Sequence, residues 1–174
     1  MGLLNIRKAN VADAAGIAKV HVASWRTTYK GLFSDKLLAG LSYEEREKSW
    51  IKQIPTGHVF VAENDNSEVI GFAAGGKERS GNYEGYDGEL HIIYLLKDYQ
   101  GQGIGVHLVR QVVDEMICSG YQSMLCLVLE GNPSRYFYEA IGGKLIDRVE
   151  GEIRGEKIID LVYGWDHLDL FKGD

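Results

Sequence analysis

Proline is nearly missing from this sequence: Pro55 and Pro133 are the two in 174 residues. No linker and no low-complexity tract interrupts the chain, so a single domain over 1–174 is expected. Cysteine is equally scarce. Cys118 and Cys126 form no CxxC pair and have no histidine at ligand spacing. That argues against a disulfide framework and against a metal site; two buried thiols in a reducing cytosol are expected, one on a helix and one on a strand. Long apolar runs are lacking too. The longest largely apolar stretches, 90–96 and Met124–Leu129, are far too short to cross a bilayer, so no membrane partner is expected. The start, Met1-Gly2-Leu3-Leu4-Asn5-Ile6-Arg7, has no charged segment followed by an apolar one, and no Ser or Thr stands at position 6. Neither a signal peptide nor myristoylation is expected, and the protein reads as cytoplasmic. Positive charge is in deficit, with 19 Lys and Arg against 25 Asp and Glu, a net charge of −6. Nucleic acid is a poor partner for such a balance, whereas a cationic substrate would suit it.

What is present is ordinary for a folded domain: 45% apolar and 25% charged residues. A short strand is predicted over 6–9. Asp13 is placed to cap a helix running to about Tyr29, with Ala14, Ala18, Val22, Trp25 and Tyr29 near helical spacing. A short helix over 34–41 follows. Ser42 with Glu45 three residues on reads as a capping box for a helix through Ile51. Strands over 58–63 and 68–75 flank a turn. A polar loop with tyrosines spans 80–88, and a strand over 89–96 has the apolar body of a central strand. Ile104, Leu108, Val109, Val112, Val113 and Met116 make the apolar stripe of the next helix, which Gly120 ends. Met124–Leu129 is a buried strand, and Pro133 starts a helix through about Ala140. Strands over 144–149 and 157–165 surround a turn at 151–155. The order β, two or three α, βββ, α, β, α, ββ predicts an α/β (α+β) fold, a mixed sheet flanked by helices, rather than strict βαβ alternation.

The sharpest local signal is Gln100-Gly101-Gln102-Gly103-Ile104-Gly105, between a buried strand and an amphipathic helix. Glycines there let backbone approach a ligand and adopt positive φ. The helix start adds free N–H groups and the positive end of a dipole, so the turn is suited to a phosphate. The dinucleotide fingerprint GxGxxG fails, because Val106 or Leu108 stands where the third glycine belongs. The P-loop fails because no Lys-Ser/Thr follows. A plain tight turn is the alternative for a bare GxG, but the whole string between strand and helix is more specific.

That string resembles the acetyl-CoA-binding motif of the GNAT superfamily, the GCN5-related N-acetyltransferases. The resemblance extends over essentially the whole chain. Asn132-Pro133-Ser134-Arg135-Tyr136-Phe137-Tyr138-Glu139 is similar to the family's later Asn…Phe-Tyr helix. His21-Val22-Ala23-Ser24-Trp25-Arg26-Thr27-Thr28-Tyr29 and Leu161-Val162-Tyr163-Gly164-Trp165 resemble a bacterial subgroup. The resemblance implies a GNAT-like sheet with splayed central strands, acetyl-CoA as acetyl donor, and transfer to a primary amine by direct attack in a ternary complex. It also implies main-chain contacts of Ile93, Tyr94 and Leu95 with the pantetheine arm, with the Leu95 N–H near the oxyanion. The pyrophosphate would lie on Gln100, Gly101, Gln102, Gly103, Ile104, Gly105 and Val106. Asn132 and Tyr138 would complete the cofactor site, with Tyr138 as proton donor to the sulfur. Many relatives dimerise, so a homodimer is a further expectation.

The chemistry requires a neutral amine, although a free alkylammonium titrates near ~10.4. It also requires an oxyanion donor and an acid for the thiolate. Glu89, at the start of the central strand, is the candidate base. The alternative for it is a solvated carboxylate at a strand edge. His91, two residues on and so expected on the same face, is the second candidate. No Ser/His/Asp set and no metal cluster is evident. For the acceptor, Trp25, Arg26 and Tyr29 on the first helix, with Glu89, with Tyr83, Glu84, Tyr86 and Asp87 of the 80–88 loop and with Asp160 of the final hairpin, predict a pocket for a small cationic amine. Tyr29 could equally be core, and Arg26 could instead hold a carboxylate on an amino-acid-like acceptor. Acetylation of a protein N-terminus or lysine, and a non-catalytic acetyl-CoA-binding regulator, remain the other functions compatible with the motifs.

Overall fold

A computed structural model describes residues 4–171; Gly2, considered above as an acylation site, lies outside them. Strands β1 (Asn5–Lys8), β2 (His58–Glu63), β3 (Val69–Lys77), β4 (Gly88–Leu95), β5 (Met124–Leu129), β6 (Lys144–Ile153) and β7 (Glu156–Trp165) form one sheet in the order β1-β2-β3-β4-β5-β7-β6. Helices are α1 (Ala14–Thr28), α2 (Asp35–Ala39), α3 (Tyr43–Gln53), α4 (Ile104–Cys118) and α5 (Ser134–Ala140). The apolar stripe of α4 is buried throughout and packs on one sheet face with Phe60, Ala62, Ala73 and Leu90. On the other face, Ile17 and Val20 of α1 and Trp50 of α3 meet Val59, Val61 and Phe72. A third cluster joins the end of α1 and α2 to Leu129, Ile153 and Ile158, through Tyr29, Phe33, Leu37 and Leu38.

The sheet is antiparallel except at its centre. There β4 and β5 run parallel and pair only at Gly88↔Met124 and Glu89↔Leu125. Beyond this pair the two strands part, and β5 continues on β7 alone, from Met124↔Trp165 to Leu129↔Asp160. One side of β4 is therefore left without a neighbour over most of its length. Leu96 N–H donates to the Ile70 carbonyl at 2.9 Å. Antiparallel pairing alternates, so the N–H groups of Leu95 and Ile93 point away from β3, into the gap.

Four expectations are corrected. Asp13 occupies the N-cap position of α1 but does not cap it. Its carboxylate takes both Arg7 nitrogens at 2.8 Å and the Asn10 N–H at 2.8 Å, because a guanidinium fork is the stronger partner. The last hairpin is longer than predicted. Its turn is Arg154-Gly155, both at positive φ (48° and 84°), as a two-residue hairpin turn demands, and Gly151 lies within β6. Cys118 is exposed at the end of α4; only Cys126 is buried. Glu89 and His91 do not follow simple alternation. Ala74 pairs with Ile92 but Gly75 with Leu90, so His91 is the extra residue of a bulge. Leu90 and Ile93, three apart, then both pack on the α4 side.

Candidate active site

The gap between β4 and β5 opens into a cleft of about 600 Å³. Ile93, Tyr94 and Leu95 line it along β4; Gly101, Gly103, Gly105 and Val106 line it at the start of α4. Asn132, Pro133, Ser134, Phe137 and Tyr138 close it from α5, and Thr27 and Thr28 from the end of α1. The glycine turn has the form its sequence requires. Gly101 (φ 74°) and Gly103 (φ 82°) are left-handed, and a Cβ at either would meet nothing within 4 Å. Both glycines are there for the turn and for open space above it, not for close packing. Gly103 stands at the N-cap of α4 without a side-chain cap, and the first helical bond at this end is His107 N–H to Gly103 O, at 3.3 Å. The N–H groups of Ile104, Gly105 and Val106 thus face the cleft mouth without helical acceptors. Lys97, also lining the cleft, adds a cation beside them.

The two glutamines of the motif brace the turn. Gln100 Nε2 donates to the Leu95 carbonyl at 2.9 Å and Gln102 Nε2 to the Asp98 carbonyl at 3.1 Å. Gln100 still lines the cleft; Gln102 does not. Ile104 is 3% exposed, and its side chain belongs to the core. Asn132 is buried, and its Oδ1 accepts the Ser134 N–H at 2.9 Å, which starts α5. Tyr138 is buried among aromatics, with Phe137 at 5.5 Å and Tyr163 at 6.2 Å between ring centroids. Burial holds its hydroxyl well above the usual tyrosine range, so it faces the cleft as a protonated phenol.

Glu89 is not a solvated edge carboxylate. It is 3% exposed, and Arg79 closes on it through the backbone N–H (3.1 Å), Nε (3.1 Å) and a terminal nitrogen (2.5 Å). Neither Glu89 nor His91 lines the cleft. His91 bonds the Lys77 carbonyl through Nε2 at 2.9 Å, and burial lowers its pKa.

The predicted cation box does not assemble. Tyr29 is core, its hydroxyl 3.1 Å from that of Tyr94. Trp25 is half-buried and stacked on Phe33 at 5.5 Å, and Arg46 of α3 lies 5.9 Å from the centroid of its ring, so the protein supplies its own cation there. Arg26 reaches the Leu38 and Leu41 carbonyls and Tyr43, tying α1 to α2 and α3. Of the two loop carboxylates Glu84 is exposed, and Asp87 is engaged, taking the Gln122 and Ser123 N–H groups. Tyr83 donates to Asp147 at 2.9 Å and Tyr86 to Asp166 at 2.5 Å, anchoring the 80–88 loop to its surroundings. Burial first, then these carboxylates, push both phenols up to about 12. Asp160 of β7 differs: like Glu89 it lies outside the cleft lining, but it makes no side-chain hydrogen bond or ion pair among the described residues. It is near enough to Tyr29 to raise that phenol's pKa, and burial raises its own.

The sequence reading did not single out Arg79, Arg46, Lys97 or the Thr27-Thr28 pair for the site. Lys97 carried a usable signal, a cation shortly before a phosphate-type turn. The arginines carried none, because their partners are remote in sequence.

Comparison with known proteins gives one answer at several levels. The sequence model of the Acetyltransferase (GNAT) family matches residues 22–143. An "Uncharacterized N-acetyltransferase YuaI" of Bacillus subtilis (strain 168) is 39% identical over 170 residues, 98% of this chain and 97% of that one. An L-methionine sulfoximine/L-methionine sulfone acetyltransferase of Pseudomonas aeruginosa is 27% identical over 137 residues, 74% of this chain and 72% of that one. The crystal structure of the PaiA N-acetyltransferase from Thermoplasma acidophilum in complex with coenzyme A superposes with a TM-score of 0.73 at 22% identity. It covers 91% of this chain and 98% of that one.

Proposed function

The chain belongs to the GNAT family and is an N-acetyltransferase with acetyl-CoA as its donor, and we propose that it acetylates the primary amine of a small acceptor by direct attack in a ternary complex. The observation that carries this reading is the cleft itself. A phosphate-type turn, the open side of β4 and a buried phenol meet in one space.

The N–H groups at the start of α4, with Lys97, hold the pyrophosphate. The pantetheine arm lies in the gap along β4, where a further strand would lie, and the N–H of Leu95 or Ile93 steadies the oxyanion. The acceptor enters from the α1 side. Its ammonium gives a proton to Asp160, whose unpaired, half-buried carboxylate is better disposed to receive it than Glu89, which Arg79 engages from three sides. The neutral nitrogen attacks the thioester carbonyl, the C–N bond forms and the C–S bond breaks. Tyr138 donates its hydroxyl proton to the departing thiolate, and the surplus proton on the acylated nitrogen passes to the phenolate left behind, so the amide is neutral and Tyr138 is restored. Glu89 serves to fix the end of the β3–β4 hairpin. Free Cys118 and Cys126 accord with a cytoplasmic location.

The test is steady-state kinetics of Tyr138→Phe with release of coenzyme A as the signal. Turnover should fall by ~10²–10⁴-fold while the KM for acetyl-CoA changes little, because an acid acts in the transition state. Wild-type turnover in the variant would reassign Tyr138 to packing.

A further inference from the structure

The sheet ends on β6, and among the described residues nothing pairs with its outer side. Its ten residues are many for a strand, and all but Ile153 are exposed. Such an edge is a row of unpaired N–H and C=O groups that invites another strand. The register on β7 says which groups those are. The Ile159 carbonyl accepts the Glu130 N–H at 2.8 Å, so Ile159 faces β5. Its partner Glu150 therefore turns its own N–H and C=O outwards. Pairing is unbroken from Asp147 to Ile153. Arg148 and Glu152 accordingly turn outwards too, while Asp147, Val149 and Gly151 turn towards β7. Upstream, a register shift between Leu145 and Asp147 interrupts the edge.

The charges on this stretch select what can lie against it. A copy of β6 can pair antiparallel with β6 about a two-fold axis, outward residues opposite outward residues. An axis at Asp147, Arg148, Glu150 or Glu152 sets a charge against itself. An axis at Gly151 sets Glu150 against Glu152. An axis at Val149 sets Arg148 against Glu150 of the second copy, twice, and like charges nowhere between 147 and 151. On the other face Val149, 38% exposed, then meets its own copy. Asp147 meets Gly151, which has no side chain to disturb the bond that Asp147 takes from the Tyr83 hydroxyl at 2.9 Å. Arg148 is already set in place: Glu130 accepts from its Nε at 3.1 Å and from one terminal nitrogen at 3.0 Å, and the guanidinium keeps further donors.

We propose that the protein forms a two-fold dimer by antiparallel pairing of β6 with β6 of a second copy, centred on Val149. The two seven-stranded sheets then run on as one. The paired stretch is short, so the contact belongs to the weak, concentration-dependent class. The proposal does not depend on the acetyl-transfer reading.

Sedimentation velocity over about 1–500 µM protein, the range in which so small an interface assembles, should show the mass rising from that of one chain towards that of two. Arg148→Glu and Glu150→Arg each set like charges opposite one another. Each should raise the dimer dissociation constant at least about tenfold, with thermal unfolding showing that the variant is folded. An equimolar mixture of the two variants recreates both unlike pairs and should return to the wild-type range. In a Cys118→Ser background, which removes the exposed thiol, Val149→Cys should cross-link two copies on mild oxidation, because that pair is the closely spaced one. A protein that stays monomeric throughout overturns the proposal. So does a dimer that both charge variants leave intact, one that the mixture fails to restore, or one that Val149→Cys does not cross-link, since the contact then lies elsewhere.

Discussion

His21 sits in the core, its ring 5.5 Å from that of Tyr94 and inclined 28° to it, and its Nδ1 accepts the Trp50 indole N–H at 3.2 Å. Burial, aided by Arg46, lowers its pKa to about 3, against an ordinary 6.5. Between those values the unfolded chain binds a proton that the folded chain refuses, so stability falls as the pH falls through that window. By pH 5 the loss relative to neutral pH should reach about 2 kcal/mol from this residue. Urea unfolding at pH 7 and pH 5 should show that gap shrinking by a similar amount in His21→Phe; an unchanged gap would assign the acid sensitivity to other groups. Removing Arg79 is a different case. Arg79→Met leaves the Glu89 carboxylate buried with one backbone N–H. It should cost about 2–3 kcal/mol, below the ~3–5 of a fully buried pair because Arg79 itself is largely exposed. A change within ±0.5 kcal/mol on thermal unfolding would mean that water replaces the guanidinium at no penalty. At this scale the sequence was informative where a residue carries its own signature. Tyr138 and three glycines of the motif, Gly101, Gly103 and Gly105, share the lining of one cleft. Glu89, Arg26 and Trp25 read differently because their partners, Arg79, Leu38 and Arg46, follow from the fold rather than from neighbouring residues.

The glycine turn and α4 act as a unit. Gly103→Val has room for its side chain only in the space above the turn, and it forces an L residue into φ 82°. Backbone strain of ~1–2 kcal/mol should leave the protein folded, while the new methyls would occupy the proposed phosphate position. Calorimetry should find acetyl-CoA affinity reduced by tenfold or more; equal affinity in a folded variant would move the pyrophosphate elsewhere. Gly88 shows the opposite use of glycine. A Cβ there would lie 2.3 Å from Met116 Cε and 2.7 Å from the Ser123 carbonyl, at the one place where β4 and β5 still pair. Gly88→Ala should therefore cost about 1–3 kcal/mol in chemical denaturation, against a few tenths for an alanine at a site with space. Helix and strand positions were legible because period and caps are local: Ser34 and Ser42 accept the N–H groups of Leu37 and Glu45 as their spacing suggests. The bulge at His91 was not, since an extra residue shows only against the partner strand. The hairpin turn was misplaced because Gly151 drew the break early, whereas the two positive-φ residues are Arg154 and Gly155.

Over the whole molecule, the cleft comes from strand order. Two halves of one sheet share only a two-pair parallel contact, and a ligand bound in the gap as proposed would restore what the strands lack. Acetyl-CoA at about 100 times its Kd should add about 2.7 kcal/mol to stability and raise Tm by about 5–10 °C. Scanning calorimetry checks this, and Gly103→Val should lose the shift at the same cofactor concentration; an equal shift in the variant would place binding outside the turn. The order of elements in the sequence indicated a mixed sheet, but the divergence of β4 from β5 is a long-range property, and only the family resemblance anticipated it. That divergence also has a consequence for traffic. The cleft is bounded by α4 and α5 on one face and by the end of α1 on the other; with the acceptor entering beside α1 as proposed, it would be a passage with two doorways. Donor and acceptor need not queue at the same one. Spent coenzyme A should then compete with acetyl-CoA while giving a noncompetitive pattern against the acceptor, and the acetylated product can leave before or after the thiol. Initial-rate plots showing one compulsory sequence of arrivals would mean that the occupant of one doorway shapes the other.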